Sequence, residues 1–153
     1  MKFFVGCGRS VVVKIFNFGG QKGFVDKKDF RGWIKVKEKL HYSNSTPRIT
    51  EGDIWWCSCG ENVGVEINGK NKLFSRPVLV YKKLSRYGFI GVPLTSQVKM
   101  GTWYVNFDFQ NKKQTAVLSQ LRTFSISRLS SRMGELDAKD MGKIKEAVLD
   151  FLK

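Results

Sequence analysis

The spacing of apolar residues changes partway along this chain, and the change divides it in two. Phe30, Trp33, Ile34 and Leu40 recur at helical intervals, while Lys27, Lys28, Lys35 and Lys39 fall elsewhere on the same cylinder, so the spacing predicts a helix over about 26–41. Asp26 is placed to cap it, with Asp29 three residues on and Val25 set to pack against Phe30. A polar run over 43–47, ending in Pro47, stops the helix. From Gly52 the texture turns to short runs rich in β-branched and aromatic residues, at 54–57, 77–81 and 89–94. Trp103, Val105, Phe107 and Phe109 alternate with Thr102, Tyr104, Asn106 and Asp108, the two-residue period of a half-buried strand. Residues 115–121 read as a further strand. A last helix over 137–152 has Asp137 as its cap, Asp140 at the third helical position and Leu136 set to pack on Met141. Its stripe of Met141, Ile144, Val148 and Phe151 reads as core packing. Several short strands at this spacing predict a small, strongly bent antiparallel barrel, mainly β with some α. The organisation is an N-terminal extension, 1–50, and a main domain, 51–153.

Charge changes this picture more than length does. The 27 Lys and Arg against 13 Asp and Glu leave a formal +14, a field that draws phosphate polymers and anionic partners before any specific contact forms. The extension through Thr50 carries 11 basic and 3 acidic residues, or +8, so it holds more than half of that excess. An apolar fraction of 42% is enough for a packed core, which excludes a disordered basic tail. Residues 1–20 are apolar but interrupted by Gly6, Gly8, Arg9 and Lys14, too broken for a membrane span or a good signal peptide. A strand hairpin, or translation from a start upstream of the true one, accounts for them equally well. No membrane association is expected. Cys7, Cys57 and Cys59 fit neither a disulfide framework nor a four-ligand zinc site. Cys57 and Cys59, two apart, share one strand face as small core residues. Reduced thiols of this kind suit a cytoplasmic protein.

The missing residues narrow the chemistry further. The one histidine, His41, lies at the end of the extension helix, so paired-histidine acid–base catalysis and a Ser-His-Asp arrangement are both excluded within one chain. No Cys/His cluster offers a metal site, and no cofactor motif is present. Gly60, Gly64 and Gly69 lack phosphate-loop spacing and its Lys-Ser/Thr ending, and read as a flexible loop. What remains is cationic and hydroxyl groups at strand ends. Arg76 stands where that loop meets a strand, and Pro77 biases Ser75 and Arg76 toward an extended entry. An arginine so placed can present its planar fork to a phosphate. Thr95 and Ser96 offer hydroxyls where the next strand ends.

Five segments in order then resemble one family. Glu51-Gly52-Asp53-Ile54-Trp55, Val63-Gly64-Val65-Glu66 and Ser75-Arg76-Pro77-Val78-Leu79-Val80 resemble the opening strand, mobile loop and second strand of PemK/MazF toxins. Val92-Pro93-Leu94-Thr95-Ser96-Gln97 resembles their strand ending in a catalytic threonine, and Leu118-Ser119-Gln120-Leu121-Arg122-Thr123-Phe124 their late strand. Arg128-Leu129 and Met133-Gly134-Glu135-Leu136 resemble the approach to their final helix. The resemblance implies an SH3-like barrel, here with an added N-terminal helix, and a homodimeric endoribonuclease. Its substrate would be single-stranded RNA, including mRNA, and its inhibitor an antitoxin with which it binds DNA. Arg76 and Thr95 would carry catalysis with neither metal nor cofactor, leaving a 2′,3′-cyclic phosphate and a 5′-hydroxyl. Ser96, Gln97, Lys99, Gln120 and Arg122 would contact RNA. The basic charge calls for an antitoxin tail that is acidic and partly apolar.

Two departures bear on the chemistry. Ser119 stands where many relatives carry an acid, which leaves Glu66 as the nearby carboxylate offered as general base. The basic extension is also longer than the minimal domain. The same barrel serves CcdB toxins, which bind DNA gyrase without cutting nucleic acid, so a non-catalytic gyrase binder and a degenerate RNA-binding module are the rival expectations.

Overall fold

The structure, a computed structural model, describes residues 28–153. The expected contributions of Val25, Asp26, Lys27 and Cys7 lie outside the described residues, as does the whole of 1–24. The extension helix α1 spans Phe30–His41 and starts later than its periodicity predicts. Asp29, expected inside the helix, is its cap and accepts the Gly32 amide at 2.8 Å. Of the expected apolar stripe only Trp33 is buried, whereas Phe30 and Ile34 face solvent. Trp33 is therefore the deepest anchor of this helix, with Val36 and Leu40 half-buried beside it. The Trp33 indole lies where a side chain at Gly60 would stand, 2.5 Å from the position of a Cβ, and its ring centroid is 5.7 Å from that of Phe74.

Seven strands follow: β1 Asp53–Ser58, β2 Ser75–Lys83, β3 Gly88–Thr95, β4 Tyr104–Phe109, β5 Lys112–Val117, β6 Arg122–Ser125 and β7 Leu129–Glu135. All pairings are antiparallel, in the order β4-β5-β3-β2-β1-β7, and β6 also pairs with β3. The sheet forks at β3. One side of that strand pairs with β2, while the other takes β6 over Gly88–Gly91 and β5 at Leu94 and Thr95. The bend is barrel-like, but no backbone ladder joins β4 to β7, so the expected barrel is not closed. Side chains bridge the gap instead: Gln110 Nε2 donates to the Met133 carbonyl at 2.7 Å, and the Phe109 ring lies against Gly134.

The middle strands are buried on both faces, which is why they read as near-continuous apolar runs. Ile54 and Leu79 join Val92, Leu94, Phe107 and the α2 residues Met141, Ile144 and Val148 in one cluster. Trp55, Cys57, Val78 and Val80 point the other way, to Phe89, Phe124, Ile126 and Leu129. Cys59 joins the second cluster beside Cys57 as a small core residue, as expected, although β1 ends at Ser58 and Cys59 lies past the strand; both thiols are free. Asp53 is buried, accepting the Thr50 amide at 2.9 Å and Arg132 Nε at 2.8 Å, and so ties β7 to β1.

Three local expectations change. Trp103 lies outside β4 and is 54% exposed, so the strand begins two residues later than the alternation from Thr102 reads. Residues 115–121 are not one strand, because β5 ends at Val117 and a 3-10 turn over Leu118–Gln120 breaks the run before β6. Residues 129–135 form a full strand rather than a mere approach to the final helix. That helix, α2 Ala138–Phe151, is capped by Asp137, which accepts the Asp140 amide at 2.7 Å. Its predicted stripe is buried except for Phe151. No described helix is long and apolar enough to cross a membrane.

Candidate functional site

Arg76 and Thr95 belong to neighbouring strands, and backbone carbonyls bring them together. Arg76 Nε donates to the Asn68 carbonyl at 2.8 Å, and Nη1 donates to the Leu94 carbonyl at 3.3 Å. Leu94 immediately precedes Thr95, so the guanidinium is held at the end of β3. Both anchors are neutral carbonyls, and among the described residues no carboxylate pairs with Arg76. Among the described residues it makes no other hydrogen bond, so its second Nη1 hydrogen and both on Nη2 remain for a ligand. Burial lowers its pKa from the ordinary arginine value, with the nearby Cys59 thiol acting in the opposite direction. The group nevertheless stays charged at neutral pH. Thr95 is 8% exposed and its Oγ1 accepts the Gln97 amide at 3.3 Å, which leaves the hydroxyl proton free to donate.

The loop between β1 and β2 sets the first anchor, and it is more tightly tied than its glycines suggest. Gly60 donates to the Phe74 carbonyl at 3.1 Å, and Gly69 donates to the Gly60 carbonyl at 2.8 Å. Asn62 Nδ2 donates to the Ile67 carbonyl at 2.7 Å, while its amide donates to Asn68 Oδ1 at 2.7 Å. Gly69 is required by close approach, since a Cβ there would stand 1.6 Å from the Phe74 carbonyl oxygen. Gln120 ties the loop to the far side of the site, accepting the Ile67 amide at 3.0 Å and donating to the Val65 carbonyl at 3.3 Å.

The remaining sequence-expected residues scatter around this centre. Arg122 Nη2 donates to the Cys59 carbonyl at 3.1 Å, and its guanidinium lies 4.7 Å over the Phe124 ring. Ser96 and Gln97 are exposed just past Thr95. Lys99 lies farther along that loop with its ammonium 5.4 Å over the Tyr104 ring. Glu66 is exposed and its carboxylate accepts the Val63 amide at 3.2 Å, with no hydrogen bond to Arg76 or Thr95. The Cys57 thiol is pushed up by burial, and the hydrogen bond from Cys57 lowers Cys59 against its own burial, with help from Arg122 and Arg76. Sequence reasoning missed Asn62 and Asn68 as parts of the site, and the meeting of Arg128 with Trp33 outside it. Two asparagines inside a glycine-rich loop were the available signal, because their side chains commonly bond to nearby backbone.

Comparison with known proteins bears on what such a site is for. Residues 50–152 match the sequence model of a family described as PemK-like, MazF-like toxin of type II toxin-antitoxin system. No curated protein matches the chain. Among solved structures, it is similar to an endoribonuclease from a mycobacterial species in complex with its cognate antitoxin, at 17% identity over 69% of this chain and 95% of that one, with a TM-score of 0.55. MazF from Deinococcus radiodurans is similar at 17% identity, 71% and 98% coverage and a TM-score of 0.55. A second mycobacterial endoribonuclease gives 17%, 71% and 92%, with a TM-score of 0.53. At such identity the likeness concerns the fold.

Proposed function

We propose, for a chain that belongs to the PemK-like, MazF-like toxin family of type II toxin-antitoxin systems, an endoribonuclease that cuts single-stranded RNA, mRNA included. The observation that carries this reading is a half-buried arginine anchored on two neutral carbonyls beside a buried threonine, at the meeting of β2 and β3. An uncompensated cation fixed in this way suits a phosphate that gains negative charge as it reacts. The substrate 2′-oxygen attacks its own phosphorus and gives up its proton. The bond from phosphorus to the 5′-oxygen breaks, and that oxygen leaves as a hydroxyl after taking a proton. The products are a 2′,3′-cyclic phosphate and a 5′-hydroxyl. Arg76 holds the nonbridging oxygens through its free N–H groups, and Thr95 donates its hydroxyl to one of them or orients the 2′-hydroxyl. Glu66, on the loop that also carries Asn68, is the carboxylate offered as proton acceptor.

The same reading includes a homodimer and an antitoxin whose acidic, partly apolar tail matches the surface. Exposed Val98, Met100 and Trp103 surround Lys99 in the loop after β3, and they supply apolar anchors next to positive charge. Among the described residues no group of three His, Cys, Asp or Glu side chains is placed to hold a metal ion. Purified protein should therefore cut mixed-sequence RNA in EDTA and leave cyclic phosphate ends. Intact RNA, or cleavage that needs an added divalent ion, would overturn this chemistry. RNA that is bound but never cut would make the protein a binding module.

A further inference from the structure

A second cationic recess lies between α1 and β6, and none of its cations is used by the Arg76 and Thr95 centre. It encloses about 270 Å³ and is lined by Lys37 and Trp33 of α1, by Arg122, Arg128 and Phe124, and by Asn62 of the β1–β2 loop, with Cys59 and Glu61 on its wall. That volume is below the roughly 300–1,000 Å³ of small-molecule pockets, and its open, mainly polar lining suits a passing strand better than an enclosed ligand. The two arginines are held ready. Arg122 is fixed on the Cys59 carbonyl and stacked over Phe124. Arg128 Nη1 donates to the Ser58 carbonyl at 2.9 Å, and its guanidinium lies 5.5 Å over Trp33. Each thus spends one nitrogen on a carbonyl at or just past the end of β1 and one face on an aromatic ring, and makes no other hydrogen bond among the described residues. Among the described residues none of Lys37, Arg122 and Arg128 forms an ion pair, although Glu61 is near. Lys37 stands one helical turn beyond Trp33, on the same face of α1, so docking of Trp33 on Gly60 brings its ammonium to the recess.

We propose that Lys37, Arg122 and Arg128 form a second phosphate subsite, which holds the RNA strand one or more nucleotides away from the phosphate cut at Arg76. The assignment rests on the ribonuclease reading for its choice of ligand. Continuity favours it: Asn62, on the recess wall, donates its amide to Asn68 Oδ1, and the Asn68 carbonyl is the anchor of Arg76 Nε. One short loop therefore separates the two cationic positions and holds them in register. Planar forks stacked on rings match phosphate oxygens two at a time, and the aromatic support limits the entropy lost on binding. The extension helix accordingly completes a substrate groove rather than merely adding charge.

The test compares noncleavable 2′-O-methyl RNA oligonucleotides of about 4 and about 12 nucleotides, with binding followed by anisotropy across a salt series. Lys37→Glu changes an exposed side chain with no hydrogen-bond partner among the described residues, and Arg128→Lys keeps the charge but loses the fork. Thermal melts confirm that both variants are folded. Each should weaken the long RNA by about 10-fold, the scale of one charge-assisted contact, while the short RNA binds as before. Lys37→Glu should also reduce the salt slope by about 0.7 for each phosphate that is no longer neutralised. On a cleavable long RNA, KM should rise while kcat holds. Unchanged affinity for the long RNA, or equal losses for both lengths, would overturn the subsite. So would a variant that keeps RNA affinity but loses affinity for a poly-glutamate peptide, which would assign the recess to an acidic protein segment. A parent protein that binds long RNA through Lys37 but cuts none would leave the subsite standing and sink the nuclease. A parent that binds neither length would sink both.

Discussion

Arg76 Nη1 donates to the carbonyl of Leu94 at 3.3 Å, so the cation that opens β2 is locked to the last peptide before Thr95 on β3. The lock acts through the backbone, which no side-chain substitution at Leu94 can remove. Distance between the two proposed catalytic groups is therefore set by the β2–β3 ladder itself, in which Val78 pairs with Pro93. A residue at position 76 must reach both Asn68 and Leu94 and still have donors to spare, and only the guanidinium fork has the geometry.

Arg76→Lys should keep the positive charge and lose that fork. Cleavage of RNA is expected to fall by about 10²-fold or more, the scale of removing one donor to a developing oxyanion. Affinity for noncleavable RNA should change little, because other cations share the ground-state contacts. Single-turnover rates beside anisotropy measure both. A folded variant that cut at the parent rate would make Arg76 an ordinary surface cation.

Thr95→Val removes the hydroxyl while roughly preserving shape at a buried position. A rate loss of similar size is expected, with a stability cost of about 1 kcal/mol because the Gln97 amide loses its acceptor. Urea denaturation separates the two effects. Loss of activity that merely tracked the unfolded fraction would remove Thr95 from the chemistry.

Gly69→Ala would drive a Cβ into the Phe74 carbonyl oxygen, a backbone atom with nowhere to go. A cost of about 1–3 kcal/mol is expected, with activity falling further because neighbouring Asn68 anchors Arg76. Gly142→Ala in α2, where a Cβ meets nothing within 4 Å, should instead stabilise by about 0.5–1 kcal/mol. Melting curves of the pair check both signs at once.

Glu51 gives a pH signature. Its Lys82 hydrogen bond, aided by the Lys83 amide and by the charges of Lys82 and Lys145, holds its carboxyl below the usual range against some desolvation. A depressed folded pKa contributes stability that is present above the ordinary carboxylate pKa of roughly 4 and is lost as pH falls through the folded value. The group is solvent-screened, so Glu51→Gln should cost less than about 1 kcal/mol near neutrality. The difference between parent and variant should shrink to nothing in acid. A gap that widened on acidification would contradict this assignment.

Short apolar runs rich in β-branched and aromatic residues were legible in the sequence, and the rest failed for physical reasons. Residues 54–57, 77–81 and 89–94 announced themselves because β1, β2 and β3 are buried on both faces, and their shortness and β-branched and aromatic content favour strand over helix. β7 was missed because Ser130, Ser131 and Arg132 are exposed on an outer strand that satisfies its backbone through β1. The 3-10 turn at Leu118–Gln120 hid inside an apolar run, since period cannot show where a chain turns a corner. Arg76 and Thr95 could be named from their local signatures, but the carbonyl of Asn68 could not. A backbone acceptor has no residue type to recognise. Arg128 and Trp33 come together from opposite ends of the chain, a meeting that only tertiary structure reveals.

The gap between β4 and β7 gives the sheet the mechanics of a split ring. To widen it at the split, a force works against the Gln110 bond to Met133 and the packing of Phe109 on Gly134, whereas parting it anywhere else means tearing a strand ladder. β2 and β3 lie in the middle of the strand order, each two strands in from the split, with β6 as a side branch on β3. The ring can therefore yield at its rim while Arg76 and Thr95 keep their spacing, so compliance and precision occupy different places in one small sheet.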